Sequence, residues 1–252
     1  MVFFSKSQAN GSPANLGAFL LVVGISIFGF SDTLTMLVSD AVGVGQFHFS
    51  RSLLVAAMIL VFGKFLGFSV IPKRWKAVLA RTVFMVTAIF LYFSVLPMMP
   101  MAEAGAGLFT SPIFVLLFSA FFFSERIGSR RIIAVVLGTI GILLILRPSG
   151  DEFKIYNLLP ILSGAAYAAG SIITFRYLRE ESSFAILMSF IAAIGLCGAV
   201  VATGFSIFPV STALLQQAPF LFDGWQGVNM QFCLYMLLIA ACAFAALSMM
   251  TK

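Results

Sequence analysis

Two apolar runs, residues 102–123 and 132–145, lie back to back with a short charged turn between them, within the stretch MAEAGAGLFTSPIFVLLFSAFFFSERIGSRRIIAVVLGTIGILLILRP from Met101 to Pro148. The first run, about 22 residues with one acid at its start, is long enough at 1.5 Å per residue to cross a hydrocarbon core of roughly 30 Å. The second is shorter and needs its flanks to span. Together they predict a transmembrane hairpin. Glu125, Arg126, Arg130 and Arg131 crowd the turn, and the tendency of basic loops to stay inside assigns that turn to the cytoplasm. Every other segment can be oriented from there.

The rest of the chain has the same character. Apolar residues make up 61% of it and charged residues 10%, with a mean hydropathy of +1.09, whereas about a quarter of residues are charged in soluble domains. This predicts an all-α polytopic membrane protein. A net charge of +6 raises nucleic acid as a partner, but the basic residues fall in short loops beside apolar runs, where topology accounts for them. Cys197, Cys233 and Cys242 lie inside predicted spans without metal-ligand spacing and read as small apolar side chains. The apolar run from Leu16 to Val38 is longer than the core of a signal peptide and has only Lys6 ahead of it, so it reads as the first helix.

Eight spans are expected, near residues 16–38, 46–68, 78–97, 102–123, 131–147, 156–176, 184–207 and 230–250. With the N-terminus cytoplasmic, the inner side receives Lys6, Lys64, Lys73, Arg74, Lys76, Arg81, Arg126, Arg130, Arg131, Arg176, Arg179 and Lys252, and the outer side only Arg147 and Lys154. Arg51 lies within a span. Adding or removing one helix would invert every later loop, so the charge asymmetry supports this register. The one long loop, residues 208–229, faces outward and is apolar enough to lie along the interface with Trp225 as an aromatic anchor.

Laid on itself, the chain shows a weak repeat. Asn15-Leu16 matches Asn157-Leu158, Trp75-x-x-Val78 matches Trp225-x-x-Val228, and Met98-Met99 matches Met249-Met250. A five-helix repeat crosses the membrane an odd number of times, so its second copy must be inverted. Residues 1–150 would form the first copy and 151–252 the second, which stops where its own fourth and fifth helices should begin.

The hairpin carries a small-residue helix of the form A-x-A-G-A-x-x-x-x-x-P from Ala102 to Pro112. It also has a Glu at its cytoplasmic exit (Glu125) and a G-x-x-G helix, Gly138 and Gly141, ending in Arg147-Pro148. In order and spacing these features resemble the EamA-like branch of the drug/metabolite transporter superfamily, over nearly the whole chain. The resemblance implies ten helices, a central cavity between two halves, and alternating access. Against that expectation the chain lacks the last two helices, through truncation, or else it is a natural eight-helix form. The resemblance also implies a bacterial inner membrane.

Charged residues within spans cost a few kcal/mol on insertion scales and are functional candidates by default. Asp32 lies six residues before the outer end of the first predicted helix and Arg51 about six residues into the second, both roughly 9 Å below the outer surface, so they can pair. His48 precedes Arg51 by three residues and shares its face. Such a pair either locks two helices together or offers protons and polar contacts to a solute. Glu103 falls just after Pro100, in the first turn of its helix, where a carboxylate is stabilised by the helix N-terminus. Glu125 with Arg126 reads as an anchoring pair, and Pro112 as a mid-helix kink usable by a gate. Tyr167 interrupts the small-residue run Ser163–Ser171 and, with Tyr92 and Thr174, is a candidate cavity-lining group or else a tyrosine bonded to a neighbouring carbonyl.

These features favour a secondary transporter of a small polar or amphipathic metabolite, with the lipid bilayer as its surroundings and no cofactor. A membrane-embedded enzyme is the competing class. One histidine, no H-E-x-x-H and no G-x-S-x-G leave little to build it from. No P-loop is present to couple ATP directly. A truncated chain that inserts without transporting is the third reading, and the oligomeric state is not legible.

Overall fold

The computed structural model describes residues 13–66, 70–125, 127–146 and 155–250. They form helices α1 (Pro13–Thr35), α2 (Val44–Leu66), α3 (Trp75–Val95), α4 (Met101–Leu108), α5 (Ser111–Phe123) and α6 (Ser129–Leu146). The second part of the chain adds α7 (Leu159–Tyr177), α8 (Ser183–Ile207), two short helices α9 (Thr212–Gln217) and α10 (Pro219–Phe222), and α11 (Met230–Met250). No strand occurs among the described residues. In lipid a spanning backbone must satisfy its own hydrogen bonds, which is why apolar segments of this length settle as helices. Five of the segments meet the length and apolarity needed to cross a membrane: Val44–Val61, Trp75–Met98, Met101–Phe123, Tyr156–Tyr177 and Ser183–Ile207. The chain is an all-α polytopic membrane protein.

The eight expected spans fall on eight helical segments, shifted by up to three residues at either end, with α4 and α5 sharing the fourth. That fourth span is broken rather than kinked. Pro112 sits in the first turn of α5, so it starts a new helix instead of bending an old one. The carbonyl of Gly107 accepts from both the Thr110 amide at 3.1 Å and the Thr110 hydroxyl at 2.6 Å, and Gly107 and Gly164 bring the break directly against the first turns of α7.

Neighbours in sequence are not the main neighbours in space. α2 packs on α8, α3 on α7, and α1 on α11, while α11 also touches α2 and α3 touches α8. The α2–α8 crossing is a backbone contact. A Cβ on Gly198 would lie 2.8 Å from the Phe49 nitrogen, and one on Gly45 would lie 2.7 Å from the Ala202 nitrogen; only glycine lets the two helices come this close. By contrast, a Cβ on Gly138 or Gly141 would meet nothing within 4 Å.

Three apolar clusters stack through the bundle. The largest joins Val38, Val44, Phe47, Phe93, Leu96, Phe220 and Met236 near one end. A middle one joins Val55 and Ile59 with Leu187 and Ile191, and a small plug of Val78, Leu178 and Ile186 closes the other end. The long loop differs from expectation. Its α9–α10 segment drives Phe220 into the core against Phe47, ring centroids 6.0 Å apart, because burying one aromatic ring outweighs leaving it at the interface. Trp225 stays 41% exposed and its indole donates to Thr203 at 3.0 Å.

Candidate functional site

The polar cluster forms where α1, α2 and α3 meet. Asp32 on α1 accepts a hydrogen bond from the Tyr92 hydroxyl on α3 at 3.0 Å. Arg51 on α2 donates to Nδ1 of His48 at 3.4 Å, and its guanidinium lies over the Phe93 ring at 4.8 Å and the Phe47 ring at 5.3 Å. His48 is itself wedged against Phe90 and Phe93, at centroid distances of 4.7 and 5.1 Å. Both His48 and Arg51 are buried.

The expected Asp32–Arg51 ion pair is absent among the described residues. The reason is packing: α1 leans on α11 rather than along α2, so Tyr92 reaches the carboxylate while aromatic faces receive the guanidinium. Asp32 still lies within electrostatic reach of the guanidinium, and cation–π contact supplements that more distant counter-charge. A guanidinium can only donate, so Nδ1 of His48 must accept, which leaves Nε2 carrying the proton. That Nε2 is buried without a partner. An orphaned donor beside a buried cation, walled by phenylalanines and with a phenol–carboxylate pair nearby, can recognise a solute bearing both acceptor groups and a flat apolar part.

Tyr167 and Thr174 lie elsewhere. They sit on the face of α7 that meets α3, in an antiparallel ladder where Ser163 donates to the Ala88 carbonyl at 2.7 Å and Gly170 lies against Met85. Thr174 accepts from Nε of Arg81 at 3.4 Å. Tyr167 is 37% exposed and its hydroxyl makes no hydrogen bond among the described residues. From Tyr92 to Arg81 is eleven residues of α3, about 16 Å at helical rise, so the two groups occupy different depths.

Glu103 does stand in the first turn of α4. Glu125 pairs with Arg176 at the end of α7, whose guanidinium stacks 3.6 Å from the Phe123 ring. Arg126, its expected partner, lies outside the described residues, as do Lys6, Arg147, Lys154 and Lys252.

Three residues escape a sequence reading. Arg81 counts there as a loop-side charge because the third span starts at 78; α3 in fact begins at Trp75, which sinks Arg81 about one turn deeper. Glu181, between α7 and α8, accepts from the backbone amides of Lys73 at 3.0 Å and Arg74 at 2.8 Å, fastening that loop to the start of α3. These amides hold its carboxyl below the ordinary value of 4.5. At the opposite end, the Gln46 side chain accepts from the Gln226 amide at 2.7 Å and donates to the Gln226 carbonyl at 2.9 Å. Both clasps link segments more than 100 residues apart, a pairing no local pattern reveals.

A bundle of apolar helices with charged and aromatic groups gathered in its interior defines the chain as an all-α polytopic membrane protein. The EamA-like transporter family matches residues 15–147, just over half of the sequence, and the chain belongs to that family. Among relatives, a riboflavin transporter of Brucella anthropi is 36% identical over 87 residues, covering 34% of this chain and 31% of the relative. The pseudopaline exporter CntI of Pseudomonas aeruginosa is 27% identical over 178 residues, covering 70% of this chain and 62% of its own length. An S-adenosylmethionine uptake transporter of Rickettsia bellii is 27% identical over 88 residues, 35% of this chain and 30% of the relative. Thus the chain spans less than two thirds of the length of these relatives. A solved crystal structure superposes on 93% of this chain and 80% of its own with a TM-score of 0.57 at 20% identity, a likeness of fold.

Proposed function

We propose that the protein is a secondary transporter moving a small polar or amphipathic metabolite across the bacterial inner membrane by alternating access, with Asp32, His48, Arg51 and Tyr92 contacting the solute. The observation that carries this reading is the buried Arg51–His48 pair, whose Nε2 has no partner. A purely structural pair would be expected to satisfy all of its buried donors, since each orphan costs about 1–3 kcal/mol. Tyr167 and Thr174 serve the solute at the other depth.

The packing supports an inverted repeat of residues 1–150 and 151–252. If α1, α2 and α3 are exchanged with α7, α8 and α11, the contact of α1 with α11 becomes that of α7 with α3. Likewise α2 with α11 becomes α8 with α3, and α2 with α8 maps on itself. This symmetry is what a rocking mechanism around a central site requires. The clustering of Lys73, Arg74, Lys76, Arg176 and Arg179 at one end supports a cytoplasmic N-terminus.

Reconstituted protein is the test. Proteoliposomes would be assayed for flux of riboflavin, S-adenosylmethionine, amino acids and opine-type metallophores, with Asp32→Asn, Arg51→Gln and the double variant alongside. Flux of one solute, lowered at least tenfold by Arg51→Gln, is the expected result. Equal flux in all three variants would remove the cluster from the transport cycle.

A further inference from the structure

We propose that Arg81 is an oxyanion-binding residue, holding a carboxylate or comparable anionic group of the solute when it occupies the half of the bundle nearer the basic end. This deepens the transporter reading and rests on it. Arg81 lies in the second turn of α3 and turns inward between α7 and α8. Its Nε contacts Thr174 on α7, its Cζ stands 5.5 Å from the Phe190 ring on α8, and its Nη1 is buried with no partner. The next residue, Thr82, also buries an unpartnered hydroxyl.

Arg81 is half-buried, with its Nη1 wholly out of solvent, and a guanidinium so placed calls for an anion, because uncompensated charge in a low-dielectric interior is expensive. The described carboxylates at this end are already committed. Glu181 is taken by the amides of Lys73 and Arg74, Glu180 by the Arg74 side chain at 3.2 Å, and Glu125 by Arg176. Beneath Arg81, the plug of Val78, Leu178 and Ile186 shuts off the loop end. A planar donor group is therefore left aimed into the bundle interior, in the geometry that suits a carboxylate or phosphate oxygen pair. Above it on the same face of α7, the Tyr167 hydroxyl, which lies within electrostatic reach of Arg81, offers a further polar contact to whatever is bound.

Two sources of oxyanion fit this chemistry, a solute and an anionic lipid head group, and a binding measurement separates them. Protein in phosphatidylcholine nanodiscs is melted with benzoate, with its neutral counterpart benzamide, and with inorganic phosphate, each at about 10 mM and fixed ionic strength. A second set of nanodiscs contains phosphatidylglycerol. Wild type is expected to gain about 2–5 °C with benzoate or phosphate over benzamide. Arg81→Gln should lose that difference, and Arg81→Lys, which keeps the charge without the planar fork, should keep part of it. The assignment is overturned if Arg81→Gln retains the full difference, or if wild type shows none with either anion. A shift that depends on Arg81 but appears only with phosphatidylglycerol makes the anion a lipid and overturns the solute assignment. Since melting requires no flux, loss of transport with an intact Arg81-dependent shift would count against the transporter reading alone.

Discussion

Tyr92 and His48 invite opposite substitutions. In Tyr92→Phe the half-buried Asp32 carboxylate loses its phenolic donor, so the variant should be destabilised by about 1–3 kcal/mol, read as a lower midpoint of thermal unfolding in detergent. For His48→Phe the expectation reverses. The ring already sits among Phe47, Phe90 and Phe93 with one nitrogen unsatisfied, so a fourth phenyl ring, whose face can take the Arg51 guanidinium in place of the lost 3.4 Å contact to Nδ1, should leave stability unchanged or raise it while flux falls. A residue whose removal stabilises the fold and stops the cycle is there for the solute. Glu181 gives a pH signature of a different kind. Because its carboxyl titrates below its ordinary 4.5 in the folded protein, its stabilising effect is complete above that value and is lost as pH falls through the lower, folded one. Between pH 6 and 3 the unfolding midpoint of wild type should therefore drop more steeply than that of Glu181→Gln. Asp32, Arg51 and His48 were legible as candidates because a charge in an apolar run stands out. Their true partners were not, since the packing of α1 on α11 rather than along α2 decides between an arginine and a tyrosine.

At the level of elements, glycines that look alike in the sequence have unlike roles. Gly138 and Gly141 form a family-type G-x-x-G pattern, yet they face open space. Gly138→Ala should cost nothing and can add up to about 1 kcal/mol through helix propensity. Gly198, with no flanking motif, lies at the α2–α8 crossing, where a methyl would meet backbone that cannot rotate away. Gly198→Ala should cost about 1–3 kcal/mol and Gly198→Leu should prevent folding, measured as yield of monodisperse protein after detergent extraction. Helix positions were readable because a run of apolar residues longer than a bilayer is thick has few alternatives. Which helix touches which was hidden, as lipid and protein interiors are equally apolar and the pattern of hydrophobicity does not mark an interface. The broken fourth span lay between these cases: Pro112 announced an irregularity, but a kink and a restart have the same sequence.

For the whole molecule, the two clasps make alternating access directly testable. Releasing Gln46 from Gln226 should favour opening at that end, and releasing Glu181 from Lys73 and Arg74 should favour the other. In a background with Cys197, Cys233 and Cys242 replaced by alanine, a cysteine at Ser52 should be labelled by maleimide faster in Gln46→Ala than in Glu181→Ala. A cysteine at Thr82 should show the reverse order; identical rates at both positions in both variants would mean that the clasps do not govern access. The pairing of α1 with α11 has a further consequence, in time rather than in space. Some 195 residues separate Thr35 from Met230, and at about 5–20 residues per second a ribosome needs on the order of 10–40 s to make them. For that interval α1 waits in the bilayer without its permanent neighbour, so a factor that shelters newly inserted helices would find in α1 the segment that needs it longest.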